Sequence, residues 1–144
     1  MILPLTGLLL GIVTVGLGYN KTLGVADGVR EGARFGATTL SSSAWGASVQ
    51  QRTIASTGLN TGSTAVVTAD MVCTKLKRAA GPTVWQSSPC PLTAQEPADP
   101  VVPAGTCLVK VWAQIPVTLR VILVPDYTIQ VRRQSVSLYE RGAC

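Results

Sequence analysis

The chain has 144 residues, of which 47% are hydrophobic and only 13% charged; an ordinary soluble domain carries roughly 25% charge, so disorder is excluded and a purely cytosolic protein is a poor fit. There is no histidine, which removes the usual general base, the usual proton shuttle and the commonest metal ligand. Twelve Lys and Arg against seven Asp and Glu give +5, but the basic residues are spread along the chain and form no patch for a nucleic-acid backbone.

From Met1 to Asn20 no side chain is charged, and Lys21 is the first that is. Twenty helical residues span about 30 Å, the thickness of a bilayer hydrocarbon core, so 1–20 reads as a membrane-spanning helix. The alternatives are a buried core helix or the apolar part of a cleavable signal peptide, both usually shorter, and no small-residue cleavage site follows Tyr19. Lys21, Arg30 and Arg34 after the apolar run would keep the rest of the chain cytoplasmic by the positive-inside rule. Four widely spaced cysteines ask instead for an oxidising compartment. A basic leader ahead of Met1 would reconcile the two signals.

Between Lys21 and about Leu59 there is no proline, and Val25, Val29, Ala33 and Ala37 recur at helical spacing. The helix is therefore expected to continue into water as an amphipathic half, residues 1–59 forming one long N-terminal unit; the Ser41–Ser43 run and the TGLNTGS segment at 57–63 are its stop signals. Asp27, Arg30, Glu31 and Arg34 stand three or four apart, a spacing that gives neighbouring opposite charges a few tenths of a kcal/mol per pair. Two adjacent arginines keep both carboxylates ionised, which disfavours an acid/base pair.

Gly24, Gly28, Gly32 and Gly36 fall at four-residue intervals, and Gly7 with Gly11 repeats the interval within the apolar run. Each glycine costs up to about 1 kcal/mol in a helix interior. Close approach of another helix would compensate, as in small-xxx-small packing; a flexible, partly helical neck is the alternative.

Residues 60–144 read as a small antiparallel β domain, which makes the chain α+β. Ala65 to Cys73 is a candidate strand, with a short second one at Thr83–Trp85. The segment 89–103 holds five prolines and is expected to be an exposed loop. Two longer strands, Cys107 to Leu119 with an interruption at Pro116 and Tyr127 to Tyr139, form a hairpin about Val124-Pro125-Asp126. With the turn centred between Pro125 and Asp126, Cys107 lies opposite Cys144, leaving Cys73 to pair with Cys90. Four cysteines allow three connectivities, and sequence alone does not choose among them.

The wide cysteine spacing does not match zinc sites. No phosphate-binding loop, nucleophile elbow or acidic calcium loop occurs. Asp70, Glu96, Asp99, Asp126 and Glu140 stand in no catalytic motif, and Trp45, Trp85 and Trp112 are too scattered for a base-stacking platform. No catalytic residue, cofactor, metal, nucleic acid or small-molecule substrate is expected.

Pro4-Leu5 within the apolar run, followed by Val29-Arg30-Glu31-Gly32-Ala33-Arg34-Phe35-Gly36-Ala37, resembles the TadE-like family of pilin-related proteins, whose signature carries an R-E-G-A-R-Y/F element at this distance from the membrane helix. Cys107 to Gln114 and Gln134 to Glu140 resemble the strands that close that family's soluble domain. The resemblance implies a pilin, minor pilin or pseudopilin of a tight-adherence (Flp-type) pilus. Such a protein is made as a precursor, trimmed by a prepilin peptidase, held in the inner membrane, and then assembled with itself or other pilins into an extracellular filament. Arg30, Glu31, Gly32 and Arg34 are the positions carried across, the charged ones as intersubunit contacts. A membrane-anchored extracytoplasmic binding or sensor module that does not polymerise is the other class that fits the sequence.

Overall fold

A computed structural model of the chain describes residues 2–59, 67–87, 90–92, 95–121, 124–142 and 144. Helix α1 runs Ile2–Thr38 and helix α2 Trp45–Ser56; a single 3-10 turn at Ala69–Met71 leads into strand β1, Val72–Arg78, followed by β2, Thr83–Gln86, β3, Cys107–Val121, and β4, Val124–Leu138. The strands form one antiparallel sheet in the order β2-β1-β3-β4. This is the α+β, pilin-like layout expected from the sequence.

The second half of α1 lies on the sheet because its helical stripe is apolar. Val25, Val29, Ala33 and Ala37 are buried, and they pack into one core with Val109, Val111, Ala113, Ile115, Val117 and Val131 from β3 and β4. The odd positions of β3 face this core, and each large apolar side chain taken out of water contributes about 1.5–3 kcal/mol. The last carbonyls of α1 are capped by the far end of the chain: Glu140 N–H donates to Ala37 O at 2.9 Å and Arg141 Nε to Thr38 O at 2.6 Å.

The helical unit is not one rod over 1–59. It breaks after Thr38, and α2 folds back onto α1. The serine run supplies the break, and Trp45, Val49 and Thr53, spaced four apart and buried, give α2 its own inward face. The Trp45 indole donates to Gly36 O at 3.0 Å, and Gln50 Nε2 donates to Val72 O at 2.7 Å, tying α2 to α1 and to the start of β1.

Three strand expectations are corrected. The first strand is Val72–Arg78, not Ala65–Cys73: its alternation is Thr74-Lys75-Leu76-Lys77, and Val67-Thr68 precede it without strand structure, while Ala65 and Val66 lie outside the described residues. β3 passes through Pro116 without interruption. Even positions of β3 bond toward β1, which ends opposite Ala113, so the missing N–H at 116 costs no ladder bond. The turn expected at Val124-Pro125-Asp126 is strand instead: those residues belong to β4, and Val124 pairs with Val121 of β3.

In this register Cys107 faces Tyr139 rather than Cys144; Tyr139 N–H donates to Cys107 O at 2.8 Å. The tail beyond Tyr139 brings Cys144 back to Cys107. The disulfides are Cys73–Cys90 and Cys107–Cys144, the pairing proposed from a register that is itself displaced. Their loops of 17 and 37 residues correspond to about 3 and about 4 kcal/mol of chain entropy removed from the unfolded state. Replacing Cys107 and Cys144 together by Ser is expected to lower stability by about 4 kcal/mol, more than the Cys73/Cys90 pair, as read by urea unfolding. Equal losses would count against the loop-length account.

Candidate functional site

The site is the half of α1 that the fold leaves uncovered. Leu5 is 63% exposed, Ile12 63%, Val15 69% and Tyr19 65%, and Leu8, Leu9, Leu10, Val13 and Leu17 are exposed as well. These positions lie on every side of the helix, so no single stripe explains them. The helix is long and apolar enough to cross a membrane. An uncharged apolar rod therefore projects from a folded, disulfide-tied domain.

The glycines divide along the same line. At Gly7 and Gly11 an added Cβ would meet nothing within 4 Å among the described residues. At Gly24, Gly28 and Gly32 it would run into Thr53 of α2 and Thr57 just after it; for Gly28 the Thr53 carbonyl would stand 2.8 Å away and the Thr57 methyl 2.6 Å. At Gly36 it would press on Val109 at 3.0 Å and on Trp45 and Val49 at 3.1 Å. The row from Gly24 to Gly36 is thus a packing seam, and its neighbours are the second helix and the sheet of the same chain.

The charged positions separate too. Glu31 accepts from Arg52 Nη2 of α2 at 2.7 Å, an intrachain pair. Arg30 stands 3.9 Å from Asp27 on its own helix, largely in solvent, and Arg34 is exposed. Arg30 and Arg34 remain at the surface just past the apolar rod; Glu31 has its partner inside the subunit.

Sequence reasoning missed a polar cluster on the other face of the sheet. Lys110 is 2% exposed, yet its ammonium donates to Glu96 Oε1 at 3.0 Å and to Pro97 O at 2.6 Å, and it contacts Asp99. Lys75, directly opposite Lys110 across the strands, reaches the same Glu96, and Lys77 reaches Asp99 at 2.8 Å. Trp112 Nε1 donates to Leu92 O at 2.7 Å.

The described part of the proline-rich segment is thus a strap, pinned at one end by Cys73–Cys90 and along its length by lysines. Residues 96–100 form no helix or strand, and Ala98 to Val101 are exposed, but the loop is tied to the sheet. The signal was present: Lys75 and Lys77 alternate with Leu76, Lys110 interrupts an apolar strand, and Glu96 and Asp99 are the only carboxylates between Asp70 and Asp126. Burial works against ionisation of Glu96, but hydrogen bonds from Lys75 and Lys110, with their charges, outweigh it and hold its carboxyl below the ordinary value near 4.5. Hydrogen bonds from Lys110 and Lys77 hold Asp99 below its ordinary 3.8. All these cations are engaged by carboxylates, so the cluster is a clamp.

No known family, curated protein or solved structure matches this chain. Among the described residues, no group of His, Cys, Asp and Glu is arranged to hold a metal.

Proposed function

We propose that the protein is a pilin-like structural subunit of a type IV-related, tight-adherence-type filament. It would be held in the membrane by the first half of α1 before assembly and packed through that half against sister subunits afterwards. The carrying observation is the rod of exposed, uncharged apolar side chains from Leu5 to Tyr19, continuous with a half-helix packed on the sheet. Such a surface has no stable place in water. It can face lipid tails, and it can exchange them for other helices of the same kind with little change in apolar burial. The two disulfides suit a domain displayed in an oxidising environment. The TadE-like resemblance of Val29 to Ala37 points the same way.

In this reading the bundling surface lies N-terminal to Lys21 and includes Gly7 and Gly11, where nothing in the described fold approaches. The glycines from Gly24 onward serve the subunit itself. Arg30 and Arg34 sit where the rod leaves the domain and would set register against neighbouring subunits.

Leu9→Lys with Val13→Lys is the direct test. Each lysine costs about 2.5–3.5 kcal/mol at the centre of a spanning helix, while both positions are exposed on the subunit, Leu9 at 55% and Val13 at 58%. Sheared surface fibres from cells making the wild-type chain should contain it; cells making the variant should yield none, although the soluble domain still forms its disulfides. Wild-type chain found only in the membrane fraction would refute polymerisation and leave a membrane-anchored module.

A further inference from the structure

Among the described residues, no strand pairs with the outer edge of β4. The Tyr139 to Cys107 main-chain bond of 2.8 Å fixes the alternation along the hairpin: odd residues of β4 bond to β3, and even residues turn their N–H and C=O groups outward. From Thr128 to Leu138 the register carries no shift, so Thr128, Gln130, Arg132, Gln134, Val136 and Leu138 present an unpaired ladder. All but Val136 are exposed. Among the described residues the main-chain groups of this outer edge receive one hydrogen bond, from Arg133 Nη1 to the Arg132 carbonyl at 2.8 Å.

A long exposed edge pairs with any extended chain unless charge or shape prevents it. Here the guard is a pair of adjacent arginines, neither of them in an ion pair among the described residues, and from Tyr127 to Tyr139 the sequence contains no carboxylate. Another β4 would bring a second arginine pair to the same edge, so self-pairing is opposed. A segment carrying carboxylates would instead draw Arg133 off the Arg132 carbonyl and free that acceptor for the ladder. Beside the edge lies an open groove of about 470 Å³, lined by Gln95, Trp112, Arg132, Arg133 and Gln134. It is wide enough for a side chain, and the buried Gln95 Oε1 at its wall has no hydrogen-bond donor among the described residues.

We propose that the β4 edge from Thr128 to Leu138 docks an extended acidic segment of a partner protein. The segment adds as a fifth strand, its main chain completes the ladder, and its carboxylates rest on Arg132 and Arg133. The inference holds whether or not the chain polymerises.

The test uses the full chain in nonionic detergent micelles and two fluorescein-labelled peptides, one of repeating Glu-Glu-Val-Val and one of repeating Lys-Lys-Val-Val, which present charge on both faces of an added strand, titrated at low salt. The Glu peptide should bind at least about tenfold more tightly than the Lys peptide and weaken as salt rises. Arg132→Glu with Arg133→Glu, both solvent-exposed, should weaken it at least about tenfold with an unchanged thermal transition. Gln130→Pro removes an outward N–H without touching the β3 ladder, and should abolish binding. Absence of binding, equal binding of the two peptides, or full binding to the charge-reversed chain would each overturn the proposal; if Gln130→Pro fails to fold, the charge reversal decides alone.

Discussion

Replacing Glu96 by Gln together with Asp99 by Asn is expected to cost about 3–5 kcal/mol of folding stability, the loss typical when a buried charge is stripped of its counter-ions. The variant keeps the shape of both side chains and leaves the 2%-exposed Lys110 ammonium with the Pro97 carbonyl as its remaining strong acceptor. Lys75 and Lys110, opposite each other across β1 and β3, would then repel without the carboxylate that bridges them. Thermal unfolding should drop by roughly 10 °C or more. Lys110→Met is the informative contrast: it removes the buried charge itself, while Glu96 keeps Lys75 and Asp99 keeps Lys77, so it should cost far less. Equal losses from the two variants would show that the cluster contributes packing and not charge compensation.

The same cluster sets an acid limit. Both carboxyls have folded-state values below their ordinary 4.5 and 3.8, so the unfolded chain takes up protons first as pH falls. The stability they contribute is complete above those ordinary values and disappears as pH drops through the depressed folded ones. Unfolding followed from pH 6 downward should show wild-type stability falling below about pH 4.5, with that fall flattened in the Gln/Asn variant. Trp112, whose indole is bonded to the strap at Leu92, is the natural fluorescent reporter.

The parts legible in the sequence were those governed by a single period or by composition. The apolar run, the Val25-Val29-Ala33-Ala37 stripe and the hairpin of two long strands each follow from one local pattern. The break into two helices was harder, because the stop at Ser41–Ser43 is weak and the row of glycines reads equally well as a seam for a sister helix or for a helix of the same chain. Only the placement of Thr53 and Thr57 beside Gly24, Gly28 and Gly32 decides between them. The disulfide pairing came out right from a displaced turn because the tail after Tyr139 is free to fold back. The lysine clamp was missed because its members lie on three segments, and cross-strand register has to be known before Lys75 and Lys110 become neighbours.

Gly28→Leu with Gly32→Leu separates the two roles of that glycine row. If the seam served sister copies, the isolated subunit in detergent would tolerate leucines there and only assembly would suffer. A Cβ added at Gly28 would stand only 2.8 Å from the Thr53 carbonyl oxygen, and a leucine at Gly32 would collide with the Thr53 side chain, which itself donates to Val49 O at 2.8 Å inside α2. Main chain cannot yield as a flexible side chain does, so α2 must move as a body. That movement would pull Trp45 off the Gly36 carbonyl and out of its edge-to-face contact with Trp85, whose ring centroid lies 5.3 Å away. Overpacking of a close seam costs about 1–3 kcal/mol per site, and two neighbouring sites on one helix pair should together exceed that range. The double variant is therefore expected to unfold well below wild type as a monomer, with tryptophan fluorescence shifted to the red before any filament is in question. A wild-type transition in the monomer combined with absent fibres would return the seam to the intersubunit contact, and α2 would then have to leave α1 on assembly.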